Sequence, residues 1–193
     1  MKKLILASAS LRRLDLLRQV GLEPDAVDPP HIDEQQHPTE TPAKYAVRMA
    51  LEKLLAVTPR HPDDFVLAAD TVVACGRRIL PKAEDETTAR RCLALLSGRN
   101  HLVLGGIAVA GPGGKHRTRL VRTRVAFKRL SDREIADYLA SGEWRGKAGG
   151  YAVQGRAAAF IPTIVGSYSN VVGLSLSDAN ALLMGLGFGA GGA

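Results

Sequence analysis

HLVLGGIAVAGPGGKHRTRLVRTRVAF, residues 101–127, is a pair of strand-like runs joined by a turn of glycines and one proline. Such a pair reads as a hairpin, and the strands of a hairpin are antiparallel. The chain before it reads differently. Leu4–Ala7 ends a short buried strand, and Leu14, Leu17 and Val20 recur at helical spacing between a cap at Ser10 and a stop at Gly21. Residues 22–27 read as a second strand. Thr41 and Pro42 form an N-cap and first-turn pair for a long helix to about Val57, and FVLAADTVVAC, residues 65–75, reads as a buried strand that turns at Gly76 into RRIL. Alternation of this kind alone predicts a parallel, doubly wound sheet. The hairpin argues against it. The expectation is therefore an α/β fold with a mixed, twisted sheet flanked by helices, its two lobes set around a central cleft.

The remaining segments fill in that frame. A helix is predicted from about Glu84 to Leu96, opened by acidic residues that suit a helix N-terminus and closed by Ser97 and Gly98. Ser131 with Glu134 is a capping box opening a helix to about Ala140. The glycine-rich residues 147–173 predict two strands around turns, and residues 178–186 a final helix. Residues 188–193 are too rich in glycine to hold structure alone and read as a flexible tail behind a single domain over 1–187. In the hairpin itself Arg117 and Arg119 fall on one parity and Arg122 and Arg124 on the other. No single basic stripe results, and no aromatics are interleaved to stack on bases. A solvated edge strand, protected from aggregation by charge, is expected there.

Composition narrows the class of partner. The net charge of +7 suits an anion, whether nucleotide, nucleic acid or acidic membrane surface. No stretch approaches the roughly 20 apolar residues that cross a bilayer, and the interrupted MKKLILASAS does not read as a signal peptide. Cys75 and Cys92 lack C-x-x-C spacing and read as free thiols of a cytoplasmic protein, while the five histidines show no metal-ligand spacing.

Two places carry chemical information. In LASASLRRLDLL, residues 6–17, Arg12 and Arg13 fall in the first helical turn, where the helix dipole disfavours cations by about 0.3–1 kcal/mol. A bound phosphate held by backbone N–H groups, Ser8, Ser10 and the guanidinium forks would reverse that cost; arginines pointing into solvent would bear little of it. Asp70 sits inside an apolar strand, where burial demands a metal ion, a basic partner or an opening into a cleft, unless it caps a local turn through Thr71. Asp33, Glu34, Glu84 and Asp85 could share a cation with it. Lys53, beside an apolar stripe, is expected to snorkel outward, and Lys82 lies in a loop. The run containing Lys147, Gly149, Gly150, Tyr151 and Gln154 either lets backbone approach a ligand, with Gln154 reading a base edge, or forms a tight hairpin.

In order along the chain, these pieces resemble the Maf family of nucleoside triphosphate pyrophosphatases. Its S-x-S-P-R-R motif is similar to Ser8–Arg13, its D-E loop to Asp33 and Glu34, its helix lysine to Lys53, and its A-D-T strand to Ala69–Thr71. A following lysine corresponds to Lys82, L-S-G to Leu96–Gly98, K-A-G-x-Y-x-x-Q-G to Lys147–Gly155, and G-S-Y-x-x-V-x-G-L to Gly166–Leu174. Two prolines of the family pattern are replaced, by Leu11 and Ala83. The resemblance implies a two-lobed fold of Maf and inosine triphosphatase type. It implies Mg²⁺- or Mn²⁺-dependent cleavage of a triphosphate to monophosphate and pyrophosphate, with Asp70 as proton acceptor, Lys53 and Lys82 as catalytic cations, and Glu34 and Asp70 as metal ligands. Ser8, Ser10, Arg12, Arg13, Thr71 and Gln154 would bind substrate, and Arg12, Thr71 and Gln154 mark the members that prefer dTTP and UTP over 7-methyl-GTP. Pairing as a homodimer also follows from the resemblance. The competing reading is a nucleotide- or nucleic-acid-binding regulatory protein with little turnover.

Overall fold

Strand β3 (Phe65–Cys75) organises the molecule, for which the computed structural model describes residues 2–189. On one side it pairs antiparallel with β6 (Asn100–Ala110) along nearly its whole length, from Val66 to Ala74. Its other side is shared. β1 (Leu4–Ala7) lies parallel to Phe65–Ala68, and β4 (Arg78–Leu80) turns back antiparallel onto Val73–Cys75. Among the described residues, Ala69–Val72 therefore have no strand beside them on that edge. The sheet continues from β1 to the two-residue β2 (Ala26–Val27), and from β6 to β7 (His116–Ala126) and β9 (Thr163–Val165). Pairing is parallel at β1 and antiparallel beyond β3, the mixed sheet that the hairpin at 101–127 predicts.

Alternation along β3 sets the two layers. Phe65, Leu67, Ala69 and Val73 face the larger core, formed with α1 (Leu11–Gln19), α3 (Glu86–Leu96), α4 (Asp132–Ser141) and α6 (Leu176–Gly185). Val66, Ala68, Val72 and Ala74 face α2 (Pro42–Val57), with Ala46, Ala50 and Leu54 buried against them. By the same alternation Asp70 faces α2, and Thr71 faces α1. Gly106 lies opposite Asp70 in the β3–β6 register, and a Cβ there would come 1.9 Å from the Ala46 carbonyl oxygen. That glycine lets α2 lie on the sheet backbone to backbone, close enough for a lysine to reach β3.

Several elements differ from the sequence reading. Only Ala26–Val27 of residues 22–27 form a strand, and Asp85, accepting from the Thr88 N–H, moves the start of α3 to Glu86. Residues 147–173 hold two short strands, β8 (Lys147–Ala148) and β9, but also a 3-10 turn at Arg156–Phe160 and a short helix α5 (Tyr168–Val172). α5 forms because Ser167 caps it and the fully buried Asn170 donates to the Val103 carbonyl and Thr123 Oγ1, both 3.1 Å away. α6 begins at Leu176, ahead of the expected Asp178. β8 joins β5 (Lys82–Ala83) in a separate two-stranded ribbon. β7 is covered by β9 only at Arg124–Ala126, so its earlier part is the expected exposed edge. Of the expected tail, Phe188 packs edge to face on Phe65 at 5.2 Å between centroids; residues 190–193 lie outside the described residues.

Candidate active site

The unpaired stretch of β3 opens into a cleft of about 660 Å³. Its floor is Asp70 and Thr71; the turn after β1 and the start of α1 form one wall, and the β5–β8 ribbon with the residues after it forms another. An aspartate can stay in an apolar strand here because Lys53 comes to it. Lys53 is only 7% exposed, and its Nζ lies 2.6 Å from Asp70 Oδ1 and 2.7 Å from Glu34 Oε1. This corrects the expectation that Lys53 snorkels outward: its helix is held against the sheet, so the ammonium is enclosed between two carboxylates. Lys82 extends the line, with Nζ 3.5 Å from Glu34 Oε2. Burial alone would raise the Glu34 carboxyl, but the hydrogen bond and charge of Lys53, with Lys82 behind it, bring it below its ordinary value. The result is a row of alternating charge, Asp70–Lys53–Glu34–Lys82, that runs from the buried floor out to solvent.

The two arginines of α1 have unlike surroundings. Arg13 donates from Nε to the Gly173 carbonyl at 2.9 Å, from one terminal nitrogen to Ser8 Oγ at 3.0 Å, and from the other to Thr71 Oγ1 at 3.1 Å. Thr71 in turn donates to the same Gly173 carbonyl at 3.1 Å. Arg13 thus ties together β1, β3 and the end of α5. Arg12 has no hydrogen-bond or ion-pair partner among the described residues and lines the cleft. Burial lowers the Arg12 guanidinium, and burial followed by the charge of Arg12 lowers the Lys147 ammonium, which marks these two cations as close neighbours. Ser10 makes no side-chain cap to its own helix, leaving its hydroxyl at the cleft wall. Gln154 is exposed on the opposite wall.

Every one of Ser8, Ser10, Arg12, Arg13, Glu34, Lys53, Asp70, Thr71, Lys82 and Gln154 lines this one cleft. The other acids do not join them. Asp33 accepts from the Gln35 N–H in an exposed loop, Asp85 caps α3, and Glu84 is exposed. Among the described residues no group of three or more His, Cys, Asp and Glu could cage a metal ion.

Sequence reasoning missed the residues that hold Glu34 in place. Tyr45 donates its hydroxyl to the Glu34 carbonyl at 2.6 Å, and Arg48 donates to the Gln35 carbonyl at 2.9 Å while bound to Glu40 and Glu52. Their spacing of three on α2 is the sole signal in the sequence, and it does not reveal that a distant loop folds over that face. Lys147, seen only as part of a glycine-rich run, adds a cation to the cleft. Arg12, Arg13, Lys53, Lys82 and Lys147 then face just two carboxylates, Glu34 and Asp70. The chemistry of such a cavity is that of a polyanion site with a carboxylate at its floor.

Comparison with known proteins agrees with that chemistry. A family model described as Maf-like protein matches residues 3–186. Proteins called dTTP/UTP pyrophosphatase from Paramagnetospirillum magneticum, Rhodospirillum rubrum and Caulobacter vibrioides are each 62% identical to this chain. The alignments cover 97%, 96% and 96% of it and 99%, 88% and 96% of those relatives. A crystal structure of a nucleoside-triphosphatase, or dITP/XTP pyrophosphatase, from Mycobacterium abscessus aligns with a TM-score of 0.42 at 18% identity, over 67% of this chain and 76% of that one. That likeness is too distant to carry an argument.

Proposed function

The chain belongs to the Maf family, and from that premise we propose that it hydrolyses dTTP and UTP to the monophosphate and pyrophosphate in the cleft above Asp70 and Thr71. The observation that carries this reading is the surplus of cations around one buried carboxylate, in a cavity sized for a nucleotide. Relatives named dTTP/UTP pyrophosphatase at 62% identity support the substrate.

In the reaction, a water oxygen forms a bond to the α-phosphorus while the bond to the bridging oxygen breaks and pyrophosphate leaves. Asp70 accepts the water's proton; a carboxylate held beside a fixed ammonium keeps its free oxygen oriented for that task. Lys82, Arg12 and Lys147 balance the charge that develops on the leaving pyrophosphate. Arg13 holds Ser8 and Thr71 at the floor. Gln154, with one amide donor and one acceptor, matches the adjacent N–H and C=O of a thymine or uracil edge.

Lys53 pairs with Glu34 Oε1 and Asp70 Oδ1, and the second oxygen of Glu34 has only the longer contact to Lys82 at 3.5 Å. Two carboxylates fit a hard divalent cation that takes its other ligands from phosphate and water, as Mg²⁺ does. Such an ion, Mg²⁺ or Mn²⁺, supplies further charge neutralisation on the triphosphate when bound. We read residues 1–187 as one catalytic unit acting in the cytoplasm, with a homodimer as its assembly; no helix among the described residues is long and apolar enough to cross a membrane.

Pyrophosphate release from dTTP, UTP, CTP, GTP and 7-methyl-GTP tests the reading, with a labelled oligonucleotide as binding control. Turnover is expected to favour dTTP and UTP, and Gln154→Ala to blunt that preference more than the rate. A preference for a purine nucleotide overturns the base assignment. Tight, salt-sensitive oligonucleotide binding without turnover would favour the regulatory alternative.

A further inference from the structure

His101, near the start of β6, is 2% exposed and lies in a trio of aromatic rings. Its centroid is 5.3 Å from Phe127 and 5.5 Å from Tyr151, and Phe127 and Tyr151 are 5.0 Å apart, all edge to face. Within this apolar cluster one polar link exists: His101 Nε2 and the Tyr151 hydroxyl are 2.8 Å apart. The other ring nitrogen, Nδ1, is buried without a partner among the described residues. An imidazole is a costly way to fill that volume, since an apolar side chain would leave no polar atom unpaired in a dry interior. What it adds is direction. Ring packing tolerates sliding and rotation, whereas a hydrogen bond fixes both the depth and the turn of the tyrosine.

Tyr151 and Val153 point inward from the cleft wall that carries Lys147 and Gln154, and Tyr151 is the one with a polar tip. The wall's other ties are the burial of Val153 in the core and a set of single hydrogen bonds. Gly149 donates its N–H to the Pro81 carbonyl at 3.0 Å, the Ala152 N–H donates to the Tyr138 hydroxyl at 3.1 Å, and β8 pairs only two residues with β5. Gln154 itself is exposed and has no hydrogen-bond partner among the described residues.

We propose that His101 is a positioning residue that acts through Tyr151 to fix the wall from Lys147 to Gly155, and so the placement of Lys147 and Gln154 against the nucleotide. The proposal rests on the reading that these two side chains contact substrate. It assigns a role in substrate recognition to a residue on the far side of the sheet from the reacting groups.

Tyr151→Phe, which removes one oxygen, and His101→Leu are compared with His101→Gln, whose amide nitrogen can reach the same hydroxyl. Thermal unfolding of each variant is measured alongside. Amide hydrogen exchange of residues 149–155 is expected to quicken about tenfold or more in the first two at temperatures where the variants remain folded. For dTTP and UTP, KM should rise about tenfold with kcat falling less than threefold. His101→Gln should recover most of both effects, and the double variant His101→Leu, Tyr151→Phe should be no worse than the poorer single one. Unchanged exchange and KM in folded Tyr151→Phe, or fully additive losses in the double variant, would overturn the proposal. Should the parent protein hydrolyse neither nucleotide, the proposed activity fails on its own, while the exchange measurement still decides whether His101 orders the wall.

Discussion

Arg12 and Arg13 are identical neighbours about 100° apart around α1, and that rotation separates their fates. Arg13 meets three protein acceptors; Arg12 meets none among the described residues. Arg12→Ala is therefore expected to leave the unfolding midpoint in place and raise KM for nucleotide at least tenfold, the loss of one charge-assisted contact worth about 1.5–3 kcal/mol. Arg13→Ala should cost about 3 kcal/mol of stability as well, because Ser8, Thr71 and Gly173 lose a shared donor, so urea unfolding tells the two apart. At the floor, Asp70→Asn should fold, since Lys53 keeps Glu34, and should lose at least about a hundredfold in kcat if Asp70 is the proton acceptor. Turnover near the parent rate would make Asp70 structural. The identities of these residues were legible in the sequence; their contacts were not. An aspartate inside an apolar strand announces that something must compensate it, but nothing local in KYAVRMALEKLL says that Lys53 turns inward to do so.

At the scale of elements, strong patterns were legible and weak ones were not. The long apolar runs of β3 and β6, the charged run of β7 and the capped helices α2 and α4 follow from composition, cap and turn chemistry over ten or so residues each. α5 was missed because its five residues are held by Asn170 through bonds to residues 47 and 67 positions away, information that no window on the sequence contains. β6 carries a pH consequence. Burial holds the His101 imidazole down to about 4 from its ordinary 6.5, so the fold favours the neutral ring. That contribution is complete above pH 6.5 and is lost as pH falls from there toward 4, because the unfolded chain takes up the proton first. The shift amounts to about 3 kcal/mol at the acid end. Urea midpoints measured from pH 7 to pH 4 should show this loss, and His101→Gln should flatten it.

For the molecule as a whole, charge and topology act together. Five cations facing two carboxylates attract a polyanion over distance, so KM for dTTP should rise several-fold between 50 and 300 mM salt while kcat changes little, as screening predicts. EDTA should abolish turnover and added Mg²⁺ or Mn²⁺ restore it; full activity in metal-stripped buffer would remove the cation from the proposal. The mixed sheet was legible because one hairpin excludes the parallel alternative, and a cleft was expected, whereas its location was not legible, since it arises from where β1 stops and β4 starts along a shared edge. That edge has a mechanical consequence. β3 is unbroken, and β6 braces it from Val66 to Ala74, so the strand cannot bend beneath the opening. The cleft is a jaw with one fixed side. Any adjustment to a bound nucleotide falls to the side chains of the other walls, those at the start of α1 and around β5 and β8, while Asp70 stays still.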